Sequence, residues 1–191
     1  MSGASVYDNM RDEFVSGYLQ VYTGDGKGKT TAAVGLAVRA LGAGINVFFA
    51  QFIKGGKYSE IEALESLSAS RDGLGELLCR QYGLGCFIMR SPEAEDIAAA
   101  RDGLDDALRE MKRGRYRLVI LDEANVAVKL GLLSEEALIA FAKERPRDTE
   151  LVITGRGAPA SLIELADLVT EMREVKHYYQ KGILARRGIE S

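Results

Sequence analysis

The sequence predicts an α/β fold, a mostly parallel sheet with helices on both faces. Three observations carry that expectation. Segments of strand character alternate with segments of helical periodicity along almost the whole chain. A strand, a glycine-rich loop, a helix and a second strand all lie between Tyr18 and Ile53, a βαβ unit that requires a parallel pair and a right-handed crossover. The segments 46–53 and 117–121 are almost continuously apolar, as expected of strands covered on both faces.

Residues 1–17 read as an N-terminal arm and 18–191 as a single domain. Segment 18–22 is rich in aromatic and branched residues and runs into glycines, so it is a strand. Ala33, Leu36, Ala37, Ala40 and Leu41 then recur at helical spacing, and Gly42 and Gly44 stop that helix. Segment 46–53 is the next strand. Segment 55–85 is less regular, with a helix over 59–67 and loops near Gly73 and Gly83; it reads as a variable insertion or lid. A short strand is expected at 86–89. Ser91-Pro92-Glu93 begins a helix with a cap, a first-turn proline and an acid at the positive end of the dipole. Ile97, Ala100, Leu104, Leu108 and Met111 mark its apolar face. Segment 117–121 is a buried strand, and Ser134 caps a helix whose apolar side is Leu138, Phe141 and Ala142. Segment 151–154 is a strand ending in Gly155-Arg156-Gly157; a helix and a last strand at 168–172 follow, and the tail from 175 is basic and irregular.

With 191 residues and 47% apolar side chains, the chain has enough material for a core. A net charge of −3 leaves no electrostatic footprint for nucleic acid or an anionic membrane. No apolar run approaches the roughly 20 residues needed to span a bilayer. The polar start, with Asp8, Asp12 and Glu13, does not resemble a signal peptide, so a cytoplasmic location is expected. Cys79, Cys86 and a single histidine, His177, do not make a zinc set; the cysteines read as reduced thiols.

The loop Thr23-Gly24-Asp25-Gly26-Lys27-Gly28-Lys29-Thr30-Thr31 carries the first functional signal. A phosphate loop requires a glycine, four residues, then Gly-Lys-Ser/Thr. Gly28-Lys29-Thr30 meets the second half, while the leading glycine position falls on Thr23. The physics survives that departure. Gly24, Gly26 and Gly28 allow backbone amides to turn inward around an anion. Lys29 supplies a point charge to phosphate oxygens, Thr30 a hydroxyl to Mg²⁺, and Lys27 a second cation. The helix that begins near Lys29 points its positive end at the phosphates. ATP with Mg²⁺ is the expected ligand, on a phosphate-loop NTPase (RecA-like) fold.

The second half of such a site is also present. Leu118-Val119-Ile120-Leu121-Asp122-Glu123 is an apolar strand ending in two carboxylates, and a carboxylate there holds Mg²⁺ directly or through water. Neighbours on a regular strand point to opposite sides, so either Asp122 or Glu123 leads and the other supports. Arg156 follows another strand, at the edge where open α/β sheets bind ligands, and is suited to phosphate charge. Lys29, Glu123 and Arg156 are the expected catalytic residues, and Thr30, Asp122 and Glu123 the expected metal ligands.

At this point the chain resembles the phosphate-loop ATP:corrinoid adenosyltransferases, the cob(I)yrinic acid a,c-diamide adenosyltransferases. The matching segments, in order, are the loop from Thr23 to Ala33, Gln51-Phe52-Ile53-Lys54-Gly55, Leu121-Asp122-Glu123, Val152-Ile153-Thr154-Gly155-Arg156-Gly157-Ala158-Pro159, Ala166-Asp167-Leu168-Val169-Thr170-Glu171-Met172, and Val175-Lys176-His177 with Gly182-Ile183 and Gly188-Ile189-Glu190. The loop alone fits many nucleotide enzymes; the ordered set is far more specific. A threonine at the position of Thr23 is normal for this family. The resemblance implies transfer of the 5′-deoxyadenosyl group of ATP to the cob(I)alt centre of a corrinoid, with release of triphosphate, in adenosylcobalamin biosynthesis or salvage. It further implies an electron donor that supplies cob(I)alt, and a homodimer.

Some family members place two aromatics after the middle insertion to push away the lower cobalt ligand. The corresponding stretch here, Gly83-Leu84-Gly85-Cys86-Phe87-Ile88, departs from that pattern with one aromatic; Tyr82 and Phe87 are the candidates for the corrin face, with core packing as the alternative. The rival class is a phosphate-loop small-molecule kinase or ATPase, in which the same loop serves attack at the terminal phosphorus.

Overall fold

The computed structural model describes residues 16–56, 58–69, 73–83 and 92–189. Six strands form one sheet: β1 (Leu19–Thr23), β2 (Val47–Gln51), β3 (Leu77–Gln81), β4 (Leu118–Asp122), β5 (Glu150–Thr154) and β6 (Leu168–Glu171). The helices are α1 (Lys29–Gly42), α2 (Ser59–Ala69), α3 (Ala94–Lys112), α4 (Ala124–Lys129), α5 (Glu135–Lys143) and α6 (Ala160–Leu165). The strand order is β3-β2-β4-β5-β1-β6, and every neighbouring pair is parallel. The phosphate-loop strand β1 and the carboxylate strand β4 are thus separated by β5. Among the described residues, no helix is long and apolar enough to cross a membrane.

The apolar strands are buried on both faces because alternate residues feed two cores. Val47, Phe49, Ile120 and Val152 pack with Ala33, Ala37 and Leu41 of α1 and with Ile61 and Leu64 of α2. Phe48, Ala50, Val119, Leu121, Leu151 and Ile153 pack on the other side with α3, α4, α5 and α6. Phe48, Phe49 and Phe52 are fully buried, each burial contributing roughly 1.5–3 kcal/mol. Two central layers of this kind fix the strand ends, and the strand ends carry the site.

Three departures from the sequence reading have local causes. Segment 55–85 is not only a variable insertion. It contains β3, which pairs with β2 from Val47↔Leu77 to Gln51↔Gln81. An edge strand reading Leu-Leu-Cys-Arg-Gln, half-buried throughout, lacks the continuous apolar signal of a central one. The helix expected from Ser91 begins at Ala94 with Glu93 as N-cap, whose backbone N–H donates to the Asp96 carboxylate at 2.9 Å. The short helix α4 was not anticipated; it starts directly after Glu123, which takes a left-handed conformation at φ 62°. The strand expected at 86–89 lies outside the described residues. Ser134 caps α5 as expected, its hydroxyl accepting from the Ala137 N–H at 3.1 Å.

Candidate functional site

Because all six strands run the same way, Thr23, Gln51, Gln81, Asp122, Thr154 and Glu171 close their strands along one edge of the sheet. The phosphate loop leaves β1 at Thr23 and enters α1 at Lys29. Gly24 and Gly28 adopt φ 91° and 120°, conformations that exclude most side chains. The loop is braced from behind by the chain after β6: the Met172 N–H donates to the Thr23 carbonyl at 2.8 Å, and the Gly26 N–H to the Met172 carbonyl at 2.7 Å. A Cβ at Gly24 would sit 2.4 Å from the Met172 oxygen, so glycine is required by space as well as by φ.

Thr23, the residue that breaks the strict loop pattern, has a defined task. Its hydroxyl accepts the Ala158 N–H at 3.2 Å and so ties the start of the phosphate loop to the Gly155–Pro159 turn. Beside it lies a cleft of about 540 Å³, lined by Thr23, Gly24, Asp25, Ala158, Ile163 and Val169 among others.

Lys29 is 6% exposed and folds over the loop, its Nζ donating to the Gly24 and Gly26 carbonyls at 2.6 and 2.7 Å. Burial lowers its pKa and the nearby Arg156 charge adds to that, while Glu123, Asp25 and Asp122 oppose it. An ammonium held by two carbonyls of a glycine-rich loop at a helix start is suited to an anion.

Asp122 is fully buried and collects four donors. Its Oδ1 accepts the Thr30 hydroxyl at 2.9 Å and the Thr154 hydroxyl at 2.8 Å; its Oδ2 accepts Gln51 Nε2 at 3.2 Å and Lys54 Nζ at 3.1 Å. The carboxylate that faces the phosphate loop is therefore Asp122. Glu123 is turned off the strand by its positive φ, and its N–H is held by the Thr154 hydroxyl at 3.0 Å. Its pKa is raised by burial first and by Asp122 second, against Lys54, Lys29 and Arg156. The oxygen donors Asp122 and Thr30 fit a hard divalent cation that keeps most of its shell for phosphate and water. Among the described residues there is no group of three His, Cys, Asp or Glu that would cage a metal alone.

The remaining expected residues scatter more. Asp25 and Thr31 are exposed. Lys27 is exposed and donates from Nζ to the Ile189 carbonyl at 2.7 Å, which ties the tail to the loop. Arg156 is exposed at the end of β5 and close enough to act on both Lys29 and Glu123. Tyr82 follows β3 at the same sheet edge; its ring lies 5.6 Å from that of Phe52, over Gly103 of α3, and its hydroxyl donates to Asp106 at 2.6 Å. Phe87 lies outside the described residues. His177 sits in the tail, its Nδ1 accepting the Tyr179 N–H at 3.0 Å.

Sequence reasoning gave no role to Gln51, Lys54 or Thr154. Gln51 and Asp122 are opposite one another in the β2–β4 register, and Thr154 comes from β5, so only the sheet brings them together. Gln51 is further fixed by Gln81, whose Nε2 donates to its Oε1 at 2.8 Å.

The sequence model of the family described as ATP:corrinoid adenosyltransferase BtuR/CobO/CobP matches residues 15–191. The chain is similar to a Pseudomonas aeruginosa protein named Corrinoid adenosyltransferase, 39% identical over 180 residues, covering 94% of this chain and 85% of the relative. Proteins of the same name from Sinorhizobium sp (37% identical, covering 91% of this chain and 80% of the relative) and Escherichia coli K12 (35%, 91% and 85%) are also similar.

Proposed function

This chain belongs to the ATP:corrinoid adenosyltransferase family, and from that premise we propose how its own residues carry out the family's reaction. The enzyme transfers the 5′-deoxyadenosyl group of ATP to the cob(I)alt centre of a corrinoid and releases triphosphate, in adenosylcobalamin biosynthesis or salvage. The cobalt electron pair forms the Co–C bond at C5′. The C5′–O bond breaks, and its electrons leave on the triphosphate oxygen. No proton is transferred, so the site needs no activated serine or cysteine and no general base. It needs alignment of C5′ with cobalt and stabilisation of the departing charge.

The observation that carries the assignment of roles is the contact between the Thr30 hydroxyl and the buried Asp122 carboxylate, 2.9 Å, beside the Lys29 ammonium. In our reading, the triphosphate takes the loop amides and draws Lys29 away from the Gly24 and Gly26 carbonyls. Asp122 and Thr30 would hold Mg²⁺, which would supply charge neutralisation of the leaving group. Glu123 is the second carboxylate at that position, and Arg156 closes on the phosphates from the β5 end. The phosphate chain then lies with C5′ turned outward to the corrin, and Tyr82, half-buried at the same sheet edge, is the described aromatic on the corrin side. The enzyme works as a cytoplasmic homodimer and receives cob(I)alt from a separate electron donor.

One assay tests the whole. ATP, a strong reductant and cobinamide should yield triphosphate together with the visible spectrum of a Co–C bond. Release of ADP with an unchanged corrin spectrum would favour the kinase or ATPase reading and refute this one.

A further inference from the structure

Asp122 is buried completely, yet the nearest elements provide it with only three neutral donors. An uncompensated carboxylate in that position is costly, so the fourth partner, Lys54, matters most to its charge. Lys54 is not on a strand. It lies beyond the end of β2, after Ile53, which adopts φ 69°. A β-branched residue in the left-handed region is a genuine outlier, and such outliers concentrate at functional positions. The turn at Ile53 directs the Lys54 side chain back under the sheet edge, where its Nζ reaches Asp122 Oδ2 at 3.1 Å.

A second seat for the same ammonium lies alongside. Lys54 Nζ is 3.9 Å from Glu60 Oε1 and 5.1 Å from the centre of the Tyr58 ring. The cation thus stands between two acceptors, one buried and one at the start of α2. We infer that Lys54 is a built-in counter-cation for Asp122, displaced toward Glu60 and Tyr58 when a divalent cation takes the carboxylate. Lys54 acts through Asp122 and is a positioning residue. It holds the metal-binding carboxylate in place while the site is without metal, and it competes with metal until nucleotide phosphates add their own charge. The inference rests on the reading that Asp122 holds the metal. It explains why an ion pair and a strained backbone turn converge on one oxygen of the carboxylate while the other oxygen faces Thr30.

The test uses the full chain without nucleotide and Mn²⁺ alone as the probe, with free Mn²⁺ read by electron paramagnetic resonance. Lys54→Gln removes the competing charge and should bind Mn²⁺ about tenfold more tightly or better, as expected for loss of a unit charge a few ångströms away. Lys54→Arg keeps the charge and should bind as weakly as the wild type. In the wild-type protein the Lys54 Cε signal, assigned by its loss in Lys54→Gln, should shift on addition of Mg²⁺, a readout taken on the unaltered chain. Equal or weaker Mn²⁺ binding by Lys54→Gln, or a Lys54 signal unmoved by saturating Mg²⁺, overturns the inference. Asp122→Asn separates the two levels. If it binds Mn²⁺ with ATP as well as the wild type does, the metal reading falls and takes this inference with it. If it loses that binding while Lys54→Gln gains nothing, only the role of Lys54 falls.

Discussion

Replacing Thr154 with valine removes one hydroxyl from the centre of the site and leaves its shape almost unchanged. That hydroxyl has two tasks: it donates to Asp122 Oδ1 at 2.8 Å and accepts the Glu123 N–H at 3.0 Å. Thr154 is fully buried, so water does not replace either bond. A hydrogen bond to a charged group is worth about 1.5–3 kcal/mol, and a buried N–H left without a partner costs about 1–3 kcal/mol. The two losses share one atom and are not additive, so the expected destabilisation is about 2–4 kcal/mol. At roughly 2–4 °C per kcal/mol for a chain of this size, the melting temperature should fall by about 4–16 °C. Thr154→Ser keeps the hydroxyl and loses one methyl, and should cost only about 1 kcal/mol. Calorimetry and urea titration of the three proteins measure this directly. The Mg²⁺ dependence of turnover should shift in Thr154→Val and not in Thr154→Ser, because Asp122 loses a fixed orientation only in the first. Thr154→Val within 0.5 kcal/mol of wild type (a threshold of about the size of a neutral surface change), or Thr154→Ser as damaging as Thr154→Val, would refute the reasoning.

Three further outcomes are expected. Lys29→Ala should lower turnover by about 10²-fold or more in the triphosphate-release assay, the usual loss for a charge-stabilising donor; near-wild-type activity would place the phosphates elsewhere. Cys79 has its thiol pushed up to about 12 from 9.0, by burial first and then by Glu65, Asp122 and Glu60. Its thiolate is therefore ~10³-fold scarcer than in a free thiol, and iodoacetamide at pH 8 should label the Cys79 peptide only after unfolding; rapid labelling of the folded protein would contradict this. Gly103→Ala lies within α3, where alanine ordinarily favours a helix by up to about 1 kcal/mol. A Cβ there would meet the Tyr82 ring at 2.4 Å, so a net loss of about 1–3 kcal/mol in urea unfolding is expected, and a stabilised variant would show that the contact yields.

The parts of the fold that were legible in the sequence are those whose signals are local. The βαβ start is written in the apolar strand, the glycines of the loop and the helical spacing of Ala33, Ala37 and Leu41. The strand at 118–122 declared itself by burial on both faces, which leaves no polar alternation to obscure it. β3 did not, because an edge strand owes its existence to pairing with β2 and carries Arg80 and Gln81 at its end. The helix α4 is hidden for a related reason: six residues are too few for periodicity to register, and its start depends on the left-handed turn at Glu123.

At the site, the sequence by itself determined the chemistry on offer: glycines around Lys29, a hydroxyl at Thr30, carboxylates at 122 and 123, and an ordered set of segments that marks the family. It left open which carboxylate leads, because a regular strand permits either. The tertiary structure turns Asp122, and not Glu123, toward the loop and the Thr30 hydroxyl. The strand order inserts β5 between β1 and β4, so Thr154 joins Thr30 on one oxygen while β2 delivers Gln51 and Lys54 to the other. Those donors come from strands and helices far apart in the chain, and only hydrogen-bonded register and the close packing of two cores place them within 3.2 Å of a single buried group. Residue types are local and can be read one by one; a hydrogen bond is a distance, and the fold sets distances.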